Sequence, residues 1–327
     1  MKFVFRTDVH LSAQAPVSWS GDYTEEIFDC LDQIGRLATK EEAVAVLDGG
    51  DYFHIKAPTR TPHWLVERSA ATHKSYPCPI YTVIGNHDIS YNNLETLEKQ
   101  PLGVLLKTGV FRQLEEETFE EGPLQVRVVG VPYSPFRTLE ELQAIKKRPG
   151  DTHLIAVVHA LATEKPSGTE DEIFKEPVFR YADLVSREGP DCWMFGHWHK
   201  DQGVTTIRDI KFVNLGAVSR GALSRDNLDR TPKVAVLEID ELGVEVHQVP
   251  LKVLPIEKAF DLERKQRQDR EDETIDQFIE QMKLNVSQDS SGDIDSTLSG
   301  LEDFAEDIRV LAQEYLARAR ESTKGRR

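Results

Sequence analysis

The stretch Val44-Ala45-Val46-Leu47-Asp48-Gly49-Gly50-Asp51-Tyr52-Phe53-His54 decides the fold class, because it sets a short apolar run directly before glycines and polar side chains. An apolar run of this length, bounded by a turn signal, is typical of a buried strand. Five more such runs occur along the chain, at residues 3–6, 80–84, 126–131, 154–158 and 192–195. We predict that each of the six forms a strand.

Segments with helical periodicity alternate with these runs. Between the first two strands, apolar residues from Ile27 to Ala38 fall on one helical face, and residues 93–106 and 138–147 look helical on similar grounds. Further on, residues 234–239 and 244–249 flank Asp240-Glu241-Leu242-Gly243, which is a hairpin signal. Strands alternating with helices predict an α/β layered fold.

Composition is that of an ordinary globular protein, with 39% hydrophobic and 29% charged residues in 327. No run approaches the roughly 18 apolar residues of a membrane span. An acid and a histidine within the first ten residues argue against a signal peptide. The three cysteines do not have metal-ligand spacing, so a reducing cytoplasm is the expected compartment.

The character of the sequence changes near residue 255. We predict a catalytic domain at 1–255 and a helical appendage at 256–327, in which the Ser- and Asp-rich residues 285–299 form a polar linker. Each helical piece of the appendage has an apolar stripe of the kind that docks into a groove or onto a coiled coil. The two stripes are Ile275, Phe278, Ile279 and Met282, then Phe304, Ile308, Leu311, Tyr315 and Leu316.

Nearly all the reactive polar residues lie in five short clusters, each just after an apolar run. Because ligands collect at the carboxyl ends of strands in α/β sheets, we expect the five loops to converge on one site. Taken alone, each cluster is explained equally well as a solvent-exposed polar stretch, a turn or a packed histidine. Five such clusters, each after an apolar run, are hard to explain by chance. The clusters are Asp8-Val9-His10, Gly50-Asp51-Tyr52-Phe53-His54, Gly85-Asn86-His87-Asp88, Val158-His159-Ala160 and Gly196-His197-Trp198-His199.

The residue types in the clusters suit divalent metal ions such as Mn, Fe or Zn, which bind imidazole, carboxylate and amide oxygen. Seven potential ligands are too many for one ion with open positions and too few for two closed structural sites. A pair of ions that share a bridging carboxylate fits better, and such a pair clamps the attacking and leaving oxygens of an in-line displacement. The sequence therefore predicts two-metal chemistry on a phosphoester.

The order of the five clusters, from Asp8 to His199, resembles that of the calcineurin-like metallophosphoesterases. Within that superfamily, the histidine three residues after Asp51 is similar to that of the SbcD-type DNA repair nucleases. Protein phosphatases of the superfamily continue this motif with Gly-Asp-Tyr-Val-Asp-Arg-Gly, and their last motif has one histidine. This chain has His54, and both His197 and His199.

The resemblance implies a layered α/β sandwich and a role for each cluster. It implies that Asp51 bridges two divalent ions. Mn²⁺ is the metal that we expect, and Fe, Zn and Mg are the alternatives. The implied catalytic residues are His87, which would stabilise charge and protonate the leaving oxygen, with Asp88 orienting it, and His54, which would help to place the substrate. The implied ligands are Asp8, His10, Asp51 and His199 for the first ion, and Asp51, Asn86, His159 and His197 for the second.

The resemblance also implies partners, namely DNA and a coiled-coil ATPase of the SbcC type, to which the helical appendage would bind; a contact between two copies of the chain is the alternative role of the appendage. The family's nucleases carry a DNA-binding capping domain, for which residues 200–255 leave little room, so we expect a compact or phage-like variant with a reduced capping region. The net charge of −16 opposes DNA binding and favours the alternative of a small-molecule phosphodiesterase or phosphatase acting on nucleotides.

Overall fold

The computed structural model of the protein describes residues 1–16, 19–166, 168, 174–221, 230–261 and 263–264. In these residues the predicted alternation of strands and helices forms two large sheets. The first sheet has the order β14-β13-β1-β2-β3-β4, in which β1, β2, β3 and β4 are parallel and β13 and β14 are antiparallel additions. Its strands are β1 Lys2–Arg6, β2 Ala45–Asp48, β3 Ile80–Thr82, β4 Arg112–Gln113, β13 Lys233–Asp240 and β14 Gly243–Pro250.

The second sheet has the order β11-β12-β10-β7-β6-β5, and its central strands β12, β10, β7 and β6 are parallel. A separate parallel pair consists of β8, which follows β7 closely in the chain, and β9. The strands are β5 Glu116–Glu121, β6 Leu124–Val131, β7 His153–His159, β8 Leu161–Thr163, β9 Val178–Arg180, β10 Cys192–Gly196, β11 Gly203–Ile207 and β12 Ile210–Asn214.

The two sheets pack face to face over one apolar layer. Phe3 and Phe5 of β1 point into this layer, where they belong to the same buried cluster as Val126, Ile155 and Met194 of the second sheet. Because side chains alternate along a strand, Val4 points to the opposite face and packs with the helices. On the outer face of the second sheet, Leu142, Tyr181 and Leu184 form a buried apolar cluster with Trp193 of β10. The layers therefore run helix, sheet, sheet, helix.

The helices of the described residues are α1 Tyr23–Lys40, α2 His63–Lys74, α3 Pro101–Lys107, α4 Leu139–Gln143 and α5 Ile256–Ala259. Asp22 precedes helix α1 and caps its first turn, because its side chain accepts a hydrogen bond from the N–H of Glu25. Short 3₁₀ helices lie at Pro58–Arg60, Asn86–Asp88, Leu94–Lys99 and Tyr181–Leu184.

All six predicted strands and the hairpin are confirmed, whereas two helix predictions need correction. The single helix predicted for residues 93–106 is two pieces, Leu94–Lys99 and α3, because Gln100 is extended before Pro101. A residue before proline is disfavoured in the helical region, and proline is well suited to the first helical position. The helix predicted for residues 138–147 is only α4, which Thr138 caps.

The chain divides into a compact unit, Met1–Phe260, and a second unit, Asp261–Arg327. The predicted linker 285–299 and the apolar stripes on either side of it lie outside the described residues, so the boundary at 255 and the appendage stay predictions. None of the helices in the described part of the chain has the length and apolar character of a membrane span.

Candidate metal centre

The carboxyl ends of parallel strands from both sheets carry the predicted ligands. Asp8 and His10 follow β1, Asp51 follows β2, and Asn86 follows β3 in the first sheet. In the second sheet His159 is the last residue of β7, and His197 and His199 follow β10. Because the two sheets face each other, these ends meet at one edge of the sandwich, where all seven side chains come together.

Four of these residues have left-handed backbone conformations, which non-glycine residues seldom adopt. The φ angles are 52° at Asp8, 47° at His10, 55° at Asp51 and 87° at His197. Each such residue costs of order 1–3 kcal/mol, and such residues tend to cluster at functional sites. The loops hold one another in place, since the N–H groups of Asp8 and His10 donate to the carbonyls of Gly50 and Asp51 at 3.0 Å.

Gly50 is required beside Asp51 for a steric reason. Its φ is 94°, and a Cβ at this position would lie 2.7 Å from His159 Nδ1 and 2.9 Å from the backbone nitrogen of Gly85. The loop after β2 can therefore pass between the loops after β7 and β3 only with glycine here.

One group of potential ligands consists of Asp8, His10, Asp51 and His199, whose donor atoms all lie within 4.8 Å of one another. His199 Nε2 is 3.5 Å from Asp8 Oδ1, and His10 Nε2 is 3.8 Å from Asp51 Oδ2. The Nε2 atoms of His10 and His199 are 2.8 Å apart. This is the set that the resemblance implies for the first ion.

A second group consists of Asp51, His159 and His197, again with donor atoms within 4.8 Å. Asn86 joins it, because its Oδ1 is 3.1 Å from His159 Nε2. The Nδ1 atom of His159 donates to the carbonyl oxygen of Gly49 at 2.6 Å, so Nε2 is the atom that faces Asn86 and Asp51 and would bind the ion. These four residues are the set implied for the second ion.

Asp51 belongs to both groups, and its buried Oδ2 atom fits a metal pair. This oxygen has no hydrogen-bond partner in the protein, although it lies 3.5 Å from His159 Nε2 and 3.8 Å from His10 Nε2. A buried carboxylate oxygen without a partner is unfavourable unless a cation or a donor satisfies it. The residues present therefore fit a dinuclear centre, and the ligand roles of the individual residues stay predictions.

The charges of the centre favour cations. Burial opposes ionisation of Asp8, but the hydrogen bond and charge of His199 lower the pKa of Asp8 to about 2. Burial likewise disfavours the charged form of His159, but the adjacent Asp51 carboxylate raises the pKa of His159 to about 9. Because a metal binds the neutral imidazole, metal uptake at this centre must displace a proton.

His87 and His54 lie together at the rim of the centre. The Nδ1 atom of His87 donates to the backbone carbonyl of His54 at 2.6 Å, which leaves Nε2 free for a substrate. The two rings stack with centroids 5.3 Å apart. His54 Nδ1 also lies 3.4 Å from His10 Nδ1, so His54 adjoins a predicted ligand as well.

Asp88 does not orient His87, which corrects the role that the resemblance suggested. Its carboxylate is buried and accepts three backbone N–H groups, from Asp51 and Gly85 at 2.9 Å and from Tyr52 at 3.2 Å. The His54 carbonyl, and not Asp88, bonds the imidazole of His87. Asp88 therefore joins the loop after β2 to the loop after β3.

Sequence reasoning missed Glu176. Its Oε2 atom lies 3.0 Å from His197 Nε2, and its Oε1 accepts a hydrogen bond from the Tyr133 hydroxyl at 3.0 Å. Burial raises the pKa of Glu176, but the hydrogen bond and charge of His197 outweigh burial and lower it. Glu176 lies in a polar loop before β9 and follows no apolar run, so no sequence signal pointed to it.

The donor set at the strand ends could hold a pair of metal ions. The family profile of the calcineurin-like phosphoesterases matches residues 1–201, and the chain belongs to this family. Its members bind a dinuclear metal centre and hydrolyse phosphoesters, so the family accounts for both the fold and the convergent histidines and carboxylates.

The chain is similar to solved structures at low sequence identity. A Staphylococcus aureus protein assigned as a 5′-nucleotidase, in complex with alpha-ketoglutarate, is 16% identical with a TM-score of 0.51; the match covers 82% of this chain and 58% of that one. An archaeal phosphodiesterase is 12% identical with a TM-score of 0.35, over 76% of this chain and all of that one. No curated protein matches the chain in sequence.

Proposed function

We propose that the protein is a two-metal-dependent DNA exo- or endonuclease that hydrolyses phosphodiester bonds. The main support for the proposal is a pair of neighbouring pockets, both of which are lined by His87. A phosphate at the centre would extend into one pocket through its leaving-group oxygen and into the other through its second ester oxygen. A phosphomonoester needs only one of these pockets, whereas a diester with a group on each side can use both.

The first pocket, of 340 Å³, is lined by an aromatic wall and by four of the predicted ligands, namely Asp51, Asn86, His197 and His199. Phe174 and Trp198 pack edge to face with centroids 5.3 Å apart, and Phe174 is 38% exposed. An exposed aromatic surface beside a phosphate site suits a nucleobase, because every base can stack on it. Lys200 adds a positive charge to the same pocket.

The second pocket, of 500 Å³, is lined by His54, Lys56, Arg60 and Tyr23. Lys56 and Arg60 lie there despite the net charge of −16, so positive charge collects where a phosphodiester backbone would run. Cations that neutralise backbone phosphates supply most of the sequence-independent affinity of a nuclease for DNA. The local charge therefore offsets part of the unfavourable charge of the whole chain.

The side chains around the reacting phosphate have distinct tasks in the proposed reaction. The paired ions, when bound, supply an acidified water molecule as nucleophile and neutralise the phosphate. His87 has Nε2 free and directed away from its bond to His54, so in its protonated form it can donate a proton to the leaving oxygen. Asp51 connects the metal centre to His87, because its Oδ1 accepts a hydrogen bond from the backbone N–H of His87 at 2.7 Å.

The second candidate is a phosphodiesterase or phosphatase for nucleotides or cyclic nucleotides. The acidic net charge favours it, and the aromatic pocket would bind a free nucleotide equally well. The similar Staphylococcus protein is itself assigned as a 5′-nucleotidase, but at 16% identity that likeness bears on the fold alone. Lys56 and Arg60 favour the polymer, since a mononucleotide has no backbone beyond the scissile phosphate.

The physiological setting belongs to the same proposal. By its resemblance to SbcD-type nucleases, the enzyme would use Mn²⁺ and act in the cytoplasm in DNA repair, recombination or replication. Residues 256–327 would bind an SbcC-type ATPase or a second copy of the chain.

A side-by-side assay separates the two candidates. Purified protein with Mn²⁺ is incubated with labelled duplex DNA, single-stranded DNA, bis-p-nitrophenyl phosphate and cyclic nucleotides. We expect DNA to be degraded under multiple turnover. Rapid hydrolysis of cyclic nucleotides without attack on DNA would establish the second candidate.

Charge variants sharpen the comparison. The double variant Lys56→Ala/Arg60→Ala should reduce the slope of log DNA affinity against log salt concentration by about two, because each substitution removes one phosphate contact. Lys146→Ala is the matched control, because Lys146 is exposed and pairs with Glu188 away from either pocket. An unchanged slope in the double variant would remove the second pocket from the DNA path.

A further inference from the structure

Glu176 is held from two sides beside the second group of potential metal ligands. Its Oε2 atom is 3.0 Å from His197 Nε2, and its Oε1 atom accepts the Tyr133 hydroxyl at 3.0 Å. The side chains of His197 and Glu176 are only 13% and 23% exposed. Few exposed ion pairs keep a fixed geometry, but this carboxylate has a partner on each oxygen and little access to water.

We propose that Glu176 is a positioning residue of the metal centre, which holds His197 in the tautomer that leaves Nδ1 free for the second metal ion. A neutral imidazole carries one N–H, and Glu176 accepts from Nε2, so the lone pair is on Nδ1. Tyr133 in turn fixes Glu176. The inference concerns the metal centre alone and applies whether the substrate is DNA or a nucleotide.

The other histidines at the site show why a carboxylate here is distinctive. His159 and His87 each place Nδ1 on a neutral backbone carbonyl, that of Gly49 and that of His54. His197 instead faces an ionised side chain. A carboxylate acceptor fixes the ring and makes the imidazole a more basic ligand, and loss of such a partner commonly lowers metal affinity about 10- to 100-fold.

The test is a Mn²⁺ titration of chelator-stripped protein by calorimetry, with electron paramagnetic resonance on the same samples. Glu176→Ala should weaken one of the two ions by about 10- to 100-fold and leave the other unchanged. At Mn²⁺ concentrations where the wild type gives the spectrum of a coupled pair, the variant should give that of a single ion. Glu176→Gln keeps an acceptor oxygen and should lose less than Glu176→Ala.

Two further variants complete the design. Glu164→Ala is the matched control, because this carboxylate is 48% exposed and its neighbour is Lys165 at 3.9 Å; it should bind both ions as the wild type does. Tyr133→Phe should weaken the same ion as Glu176→Ala, and should add nothing when combined with it, since both act through one contact.

Three results would overturn the proposal. Wild-type affinity for both ions in Glu176→Ala would mean that His197 needs no carboxylate. Tighter binding would mean that Glu176 competes with the metal for His197. Equal weakening of both ions would mean general damage to the site. If Glu176→Ala does not fold, as judged by circular dichroism of the metal-free protein, Tyr133→Phe decides by the same criteria, because it removes the hydrogen bond that fixes Glu176.

Discussion

Asp88→Asn distinguishes a carboxylate that supports the metal-binding loops from one that orients His87. In the structure Oδ2 accepts the N–H groups of Asp51 and Gly85, and Oδ1 accepts that of Tyr52. Asparagine has the same shape but only one oxygen. At least one of the three buried N–H groups would therefore face an amide NH₂ and lose its acceptor.

The size of the effect follows from two opposing contributions. A buried N–H without a partner costs about 1–3 kcal/mol. Burial and the charge of Asp51 raise the pKa of Asp88 well above its ordinary value, so an uncharged side chain relieves some repulsion in the metal-free protein. We expect a net loss in the lower part of that range, about 1–2 kcal/mol. In a compact unit that spans Met1–Phe260, such a loss lowers Tm by about 2–4 °C.

Calorimetric unfolding of the chelator-stripped protein measures this loss without the contribution of bound metal. Asp183→Asn is the control, because Asp183 is an exposed carboxylate in the 3₁₀ helix Tyr181–Leu184. His87→Gln serves as a second comparison and should leave Tm unchanged. If Asp88→Asn keeps its Tm but loses as much activity as His87→Gln, then Asp88 acts through His87. That result would refute its role in joining the two metal-binding loops.

Further predictions address the centre, the core and the appendage. His87→Ala or His87→Gln should lower cleavage by about 10²–10⁴-fold with two metal equivalents still bound; loss of one equivalent on metal analysis would make His87 a ligand. Asp51→Asn should lose metal, activity and the stabilisation by Mn²⁺, and wild-type affinity for two ions would contradict bridging. Burial and the charge of Arg6 lower the pKa of His73 well below its ordinary value, so His73 stays neutral in the folded protein. The free energy of unfolding should therefore fall as the pH drops below the unfolded-state pKa of about 6.5, because there the unfolded chain takes up a proton that the folded chain does not. Denaturant unfolding below about pH 6.5 should show a free energy of unfolding that depends less on pH in His73→Gln than in the wild type. An equal dependence would contradict this role of His73. Truncation at Asn285 should preserve Tm and hydrolysis of bis-p-nitrophenyl phosphate but abolish binding to an SbcC-type ATPase or self-association; an insoluble or inactive product would contradict docking.

The sequence by itself determined the strands, the family and the residues that meet at the strand ends. Each potential ligand lies within a few residues of an apolar run, so its place in the fold follows from local alternation and from the rule that parallel strands present their carboxyl ends together. Asp8, Asp51 and His159 could be read in this way because the signal for the strand and the polar residue are adjacent in the chain.

Contacts between distant segments were decided only by the tertiary structure. Asp88 meets the loop of Asp51 across 37 residues, and Tyr133 meets Glu176 across 43. No periodicity records such pairs, because a carboxylate has the same local sequence whether it accepts a backbone N–H, orients an imidazole or faces water. Which of these it does depends on how two sheets pack and which loops they bring within 3 Å, and that is a property of the packed layers rather than of any single strand or loop.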